Sequence, residues 1–199
     1  MFGIVNRLNQ GLAAAAAALL ALLSPVLARP ASARADALGF AYGAGDGEVS
    51  RNHMDYEHSA ISERFYWRAD EWFGERFGFD PPGEWYAFAA PSFGWTRHPI
   101  HNEEISLGLG LKCALPLGNC VRPYVFGATG PHFTIGRTTG DSTSVNFASY
   151  GGGGIEFMIS EDASIGVEMT FRHYSNGDLG DPNDGVDSSA WWITYTEYE

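Results

Sequence analysis

Residues 164–175 read SIGVEMTFRHYS, and two interleaved sets run through them. One set is Ile165, Val167, Met169, Phe171, His173 and Ser175. The other is Ser164, Gly166, Glu168, Thr170, Arg172 and Tyr174. Successive side chains of a β-strand point to opposite faces, so period two makes this segment one strand with an apolar and a polar side. The pattern returns at 105–112, where Ile105, Leu107, Leu109 and Leu111 oppose Ser106, Gly108, Gly110 and Lys112. It returns at 155–159, with Ile155, Phe157 and Ile159 against Glu156 and Met158. Near the C-terminus Trp191, Ile193 and Tyr195 oppose Trp192, Thr194 and Thr196. Weaker alternation marks 37–45, 61–69, 84–95 and 121–130. About eight strands result, each near the ~10 residues of a membrane-crossing strand.

No helical repeat, heptad or linker interrupts this order. The glycine run at 151–154 lacks a following Lys-Ser/Thr, so it is no phosphate loop. Glycines that relieve crowding or bend a barrel strand account for it better. Alternation alone does not say which face meets what. A soluble lipocalin-like barrel turns its apolar face inward, whereas a membrane barrel turns it to lipid and fills the lumen with polar groups.

The first residues bear on that choice. Arg7 precedes an Ala/Leu run at 11–23, and Ala31-Ser32-Ala33 and Ala33-Arg34-Ala35 follow Pro25 and Arg29. A basic start, a short apolar core and an A-x-A site predict a secretory signal peptide over residues 1–33, with cleavage after Ala33 or Ala35. Pro25 and Arg29 cut the run short of the ~20 residues a helical span needs. Residues 36–199 are then expected to form one exported barrel domain. Export and abundant Tyr, Trp and Phe, suited to interfacial girdles, favour an outer-membrane-type, eight-stranded antiparallel transmembrane β-barrel.

The chain has 12 basic and 24 acidic residues. Removing Arg7 and Arg29 with the leader leaves ten basic residues and a formal charge of −14. Such a balance excludes nucleic-acid binding through a basic surface. Cys113 and Cys120 flank the turn-like ALPLGN and are expected to staple a hairpin in an oxidising compartment. No His lies at zinc spacing from them. His98 and His101 with Glu103 and Glu104 supply metal-ligand types, but no second cluster accompanies them. Asp178, Asp181, Asp184 and Asp187 recur every three residues without the spacing of a calcium loop, as in a solvated loop.

The apolar face of 164–175 finishes in His173 and Ser175, an imidazole and a hydroxyl on one side of the strand. The loop NGDLGDPNDGV follows, and Asp187 opens the last strand on the face of Ser189, Trp191, Ile193 and Tyr195. If the two strands pair, a nucleophile, a base and an acid that orients the base converge on one patch. Asn176, Asn183 and the backbone N–H groups around Gly177 are candidate oxyanion donors.

The segment H-Y-S-N…P-N-D-G-V-D resembles the signature of the PagL family, the outer-membrane lipid A 3-O-deacylases. The resemblance covers about 120–199 and is weak before it. It implies an eight-stranded antiparallel barrel that hydrolyses the ester-linked β-hydroxyacyl chain at the 3-position of lipid A. By the same resemblance Ser175 is the nucleophile and His173 the general base, while Asn176 and Asn183 shape the site and its oxyanion hole. The acid, commonly Glu in the family, falls on Asp187, one methylene shorter, with Asp184 as the alternative. Gly177-Asp178 stand where the family often has Ala-Gly. No metal or organic cofactor is implied. The implied partner is lipopolysaccharide in the outer leaflet of a Gram-negative outer membrane, and the apolar belt permits a homodimer without demanding one. Two other readings remain: a non-catalytic outer-membrane barrel with a structural or lipid-binding role, and a soluble lipocalin-like carrier.

Overall fold

The alternating segments become Ala37–Val49 (β1), Met54–Arg68 (β2), Glu84–His98 (β3), Asn102–Ala114 (β4), Val121–Ile135 (β5), Val145–Met158 (β6), Ala163–Ser175 (β7) and Val186–Tyr198 (β8). The computed structural model describes residues 35–49, 53–78, 81–135, 144–181 and 183–199, and the expected leader lies outside them. Each strand pairs antiparallel with the next, and β8 returns to β1, so the sheet is a closed barrel. Closure leaves no sheet edge, which is what lets strands cross hydrocarbon. Several strands run beyond the segments where alternation is legible. In β2 the added residues 54–60 carry Asp55 and Glu57 on the outer face and buried His58 on the inner. With both faces polar, no hydropathy contrast marks the strand.

The burial pattern decides the sign of the faces. Phe40, Ile61, Ile105, Val125, Ile155, Val167, Phe171 and Ile193 are exposed on the outer wall, whereas Lys112, Glu104, Glu156 and Glu168 are buried in the lumen. This is the polarity of a membrane barrel and the reverse of a lipocalin's.

The lumen is filled by ion pairs joining strands far apart in sequence. Arg64 Nη1 and Nη2 donate to the Glu168 carboxylate at 2.6 and 2.9 Å, and Glu168 also accepts from Tyr124 at 2.9 Å and Thr170 at 3.0 Å. Lys112 Nζ donates to Glu156 at 2.5 Å, and Tyr198 donates to the other oxygen at 2.9 Å. Arg172 Nη1 donates to Glu104 at 3.0 Å, and Tyr56 donates to the same carboxylate. Desolvation of such pairs costs several kcal/mol per ion, so the accompanying hydroxyl bonds are needed to offset it.

A short helix, Asp70–Phe77 (α1), joins β2 to β3 and was not foreseen from the sequence. It stops at Gly78, whose left-handed φ of 70° lets its N–H bond Gly74 O. Trp72 packs on Ala87 with Leu109 and Leu111, so the helix lies against the outer wall at the end of the barrel that carries the termini. No helix among the described residues is long and apolar enough to cross a membrane.

The expected Cys113–Cys120 staple is not formed; both cysteines are free. Hairpin register sets Cys113 opposite Val125, while Cys120 lies in the connection closed by the Leu117–Val121 bridge. Cys113 Sγ instead lies 3.8 Å from Pro82 O.

The lumenal pairing yields a stability test. Glu168→Ala strands the Arg64 cation and should lower unfolding free energy by about 3–5 kcal/mol, whereas Arg64→Met/Glu168→Met should be near neutral. Urea unfolding of the refolded barrel would measure both.

Candidate functional site

β7 and β8 are neighbours, and their register sets His173 directly opposite Asp187. Directly opposed residues carry Cβ atoms about 4.5–5.5 Å apart, which even a short acid can bridge. His173 Nδ1 lies 2.7 Å from Asp187 Oδ1. With a carboxylate at Nδ1, the neutral ring carries its proton there and keeps Nε2 as a proton acceptor. Ser175 follows two residues along β7, on the same outward face. The pair sits at the rim: the His173 side chain is 27% exposed and that of Asp187 64%. Asp184 is half-buried in the connection between Asn183 and Gly185.

The 176–185 connection is folded by its two asparagines. The Asn176 N–H donates to Asn183 Oδ1 at 3.0 Å, and Asn176 Nδ2 donates to Gly180 O at 3.0 Å. Asn176 Oδ1 accepts the Asp178 N–H at 3.0 Å, and Asn183 Nδ2 donates to Asp178 Oδ1 at 2.8 Å. The Asp178 carboxylate is therefore tied into the loop. Asn176 is fully buried. Both side chains thus act on the loop backbone and shape the rim beside Ser175.

Gly185 is a further site residue that sequence reasoning did not single out. Its φ is +66°, and a Cβ there would lie 3.2 Å from His173 Cε1, 3.5 Å from Tyr174 O and 3.7 Å from Ser175 Cβ. A side chain at this position would therefore press on the imidazole and reach the serine. The available signal was the Asp-Gly step at the entry to the last strand.

Beneath the rim the lipid-facing wall carries glycines among its apolar side chains. Across from His173, Phe171 and Met169 on β7 stand Ser149, Gly151 and Gly153 on β6, and Gly151 faces Gly127 on β5. A Cβ on Gly151 would meet nothing within 4 Å. Lumen-facing Gly152 is different, because a Cβ there would collide with Met169 O and the Phe126 ring. Interior packing thus accounts for Gly152 and leaves Gly151 as an open strip on the outside.

The His98, His101, Glu103 and Glu104 group is taken apart by the fold. Glu104 is buried and bonded to Arg172 and Tyr56, while His98, His101 and Glu103 are exposed. Among the described residues no group of three or more such side chains could hold a metal ion.

A family model described as lipid A 3-O-deacylase (PagL) matches residues 64–196. Among solved structures, the outer membrane enzyme PagL is similar at 18% identity with a TM-score of 0.51, covering 77% of this chain and 97% of that one. Neisserial surface protein A (NspA) is similar at 8% identity with a TM-score of 0.53, covering 82% and 96%. At such identities the likeness is one of fold. No curated protein sequence matches the chain.

Asn176→Ala removes the side-chain bonds to Gly180 O and to the Asp178 N–H, about 1 kcal/mol each. It should speed amide exchange across 176–185 about tenfold or more and leave the β-ladders protected. Hydrogen-exchange mass spectrometry would read both regions.

Proposed function

The chain belongs to the lipid A 3-O-deacylase (PagL) family, and from that premise we propose that it is an outer-membrane esterase releasing the 3-O-linked β-hydroxyacyl chain of lipid A. The observation that carries the proposal is the His173–Asp187 bond on the lipid-facing rim, with Ser175 on the same face. An ester held in the outer leaflet reaches such a site sideways, without leaving the bilayer.

In this reading Asp187 holds the His173 Nδ1–H, and Nε2 takes the Ser175 hydroxyl proton as the oxygen attacks the ester carbonyl. The tetrahedral oxyanion is met by N–H donors of the 176–185 connection, whose fold the asparagines maintain. Collapse breaks the bond to the sugar 3-oxygen, which leaves with the proton held by His173. Water then attacks the acyl-serine, again with His173 as base, and a 3-hydroxy fatty acid departs. The chain needs a place on the outer wall, and the open space at Gly151 beside Phe171 offers one. The end of the barrel bearing His173 and Ser175 faces the cell exterior in this proposal, and the termini face the periplasm. No metal or organic cofactor takes part.

Mass spectra of lipid A from cells with and without the protein test the reading. Loss of one 3-linked hydroxyacyl chain is expected with the wild type and not with Ser175→Ala. Release retained by Ser175→Ala removes Ser175 as nucleophile. Unchanged spectra under confirmed wild-type expression would instead assign a structural or lipid-binding role. Asp187→Ala should lower kcat by about 10²–10⁴-fold, and Asp187→Glu should keep most activity.

A further inference from the structure

His173 is the one residue of the 172–174 stretch that faces outward; its two chain neighbours both turn into the lumen and enter a single cluster. Arg172 is held there by four groups. Nη1 donates to Glu104 on β4 at 3.0 Å, Nη2 to the Tyr56 hydroxyl on β2 at 2.6 Å, and Nε to Ser188 on β8 at 3.3 Å. Its guanidinium carbon also lies 5.1 Å from the centre of the Tyr174 ring. Tyr174, on the other side of His173, stacks on His132 of β5 with ring centres 4.3 Å apart, and meets Tyr56 edge-on at 6.1 Å. His132 Nε2 lies 3.8 Å from Glu104, which joins the β5 contact to the same carboxylate.

The register gives this cluster a consequence outside the barrel. Arg172 is the cross-strand partner of Ser188, and His173 is the cross-strand partner of Asp187. The two pairs are consecutive rungs of one ladder, the first facing the lumen and the second facing lipid. We propose that Arg172 is a positioning residue for the reaction: through Ser188, Glu104 and Tyr56 it clamps β7 to β8 and to the opposite wall, and so fixes the His173–Asp187 rung. Exposed rim side chains supply less of that rigidity, because the Asp187 side chain is 64% exposed. A planar guanidinium with five fixed donors can bind three strands at once, which a lysine ammonium cannot do with the same geometry.

A second buried pair, Arg64–Glu168, crosses the lumen without contacting a site residue or its rung. It is the matched control. This inference rests on the proposed esterase reading, so the experiment separates the two. The full barrel, refolded in detergent, is assayed for hydrolysis of lipid A in mixed micelles and for labelling of Ser175 by a fluorophosphonate. Arg172→Met/Glu104→Met removes both charges together and so avoids a stranded ion. Its expected result is kcat lowered about tenfold to a hundredfold with KM within twofold, and slowed fluorophosphonate labelling. Arg64→Met/Glu168→Met should match the wild type in all three. Ser188→Ala, which severs only the hold on β8, should show a smaller kcat loss in the same direction with KM unchanged. Equal effects of the two double variants, or wild-type labelling by Arg172→Met/Glu104→Met and Ser188→Ala, would overturn the inference alone. Undiminished labelling and hydrolysis by Ser175→Ala would overturn the reading beneath it.

Discussion

A backbone that crosses hydrocarbon as strands has no water to satisfy its N–H and C=O groups, so every one must find another strand and the last strand must return to the first. In this chain β8 pairs with β1 along the whole length of both, from Ala37–Tyr198 to Val49–Val186. Closure at eight strands leaves a lumen only wide enough for side chains. The inside therefore becomes a packed core, and the outside becomes the surface on which a lipid-directed site has to stand.

The core this produces sets buried charges among aromatic rings, which reverses the ordinary partition between inside and outside. Glu104, Glu156 and Glu168 are each buried and each matched by a cation from a distant strand. Their pairing tempers the acidity of the chain, since these three carboxylates are never presented to phosphorylated lipid. Acids left on the outer face near the site, Asp46, Glu48, Asp55 and Glu57 among them, are a different matter, because they border the membrane surface. The inward glycines of β6 belong to the same economy of space. Phe126 and Tyr124 fill the lumen opposite Gly152 and Gly154, where a Cβ would have no room.

Against that frame the rim site is built by register. Asp187 has a shorter arm than a glutamate, but direct opposition across the β7–β8 ladder removes the need for reach. The connection that follows Ser175 is held by side chains bonding to its own backbone, and Asp178 is absorbed into that bonding. Arg172 and Tyr174 anchor the same strand from within. Outer-face chemistry and inner-face packing are thus two sides of one strand, and the rung that carries the site is next to the rung that Arg172 holds.

Much of this was legible in the sequence. Period two fixes which residues share a face, because a strand cannot place His173 and Ser175 on opposite sides. The spacing of alternating segments fixes about eight strands, and the His-Tyr-Ser-Asn segment carried the resemblance that the family match bears out. Alternation by itself leaves the sign of the faces open, since apolar-in and apolar-out barrels alternate identically; the expected export signal and the aromatic content pointed to lipid outside, and the burial pattern agrees. The sequence could not pair Arg64 with Glu168 or Arg172 with Glu104, partners 104 and 68 residues apart that only the stagger of a closed barrel brings together. It also missed α1 and placed Cys113 across from the wrong residue, because hairpin register depends on the geometry of the connection. Local order is written in nearest-neighbour periodicity. Which distant residue answers each buried charge was decided only when the sheet closed, because the stagger of the barrel and not the local period brings those residues together.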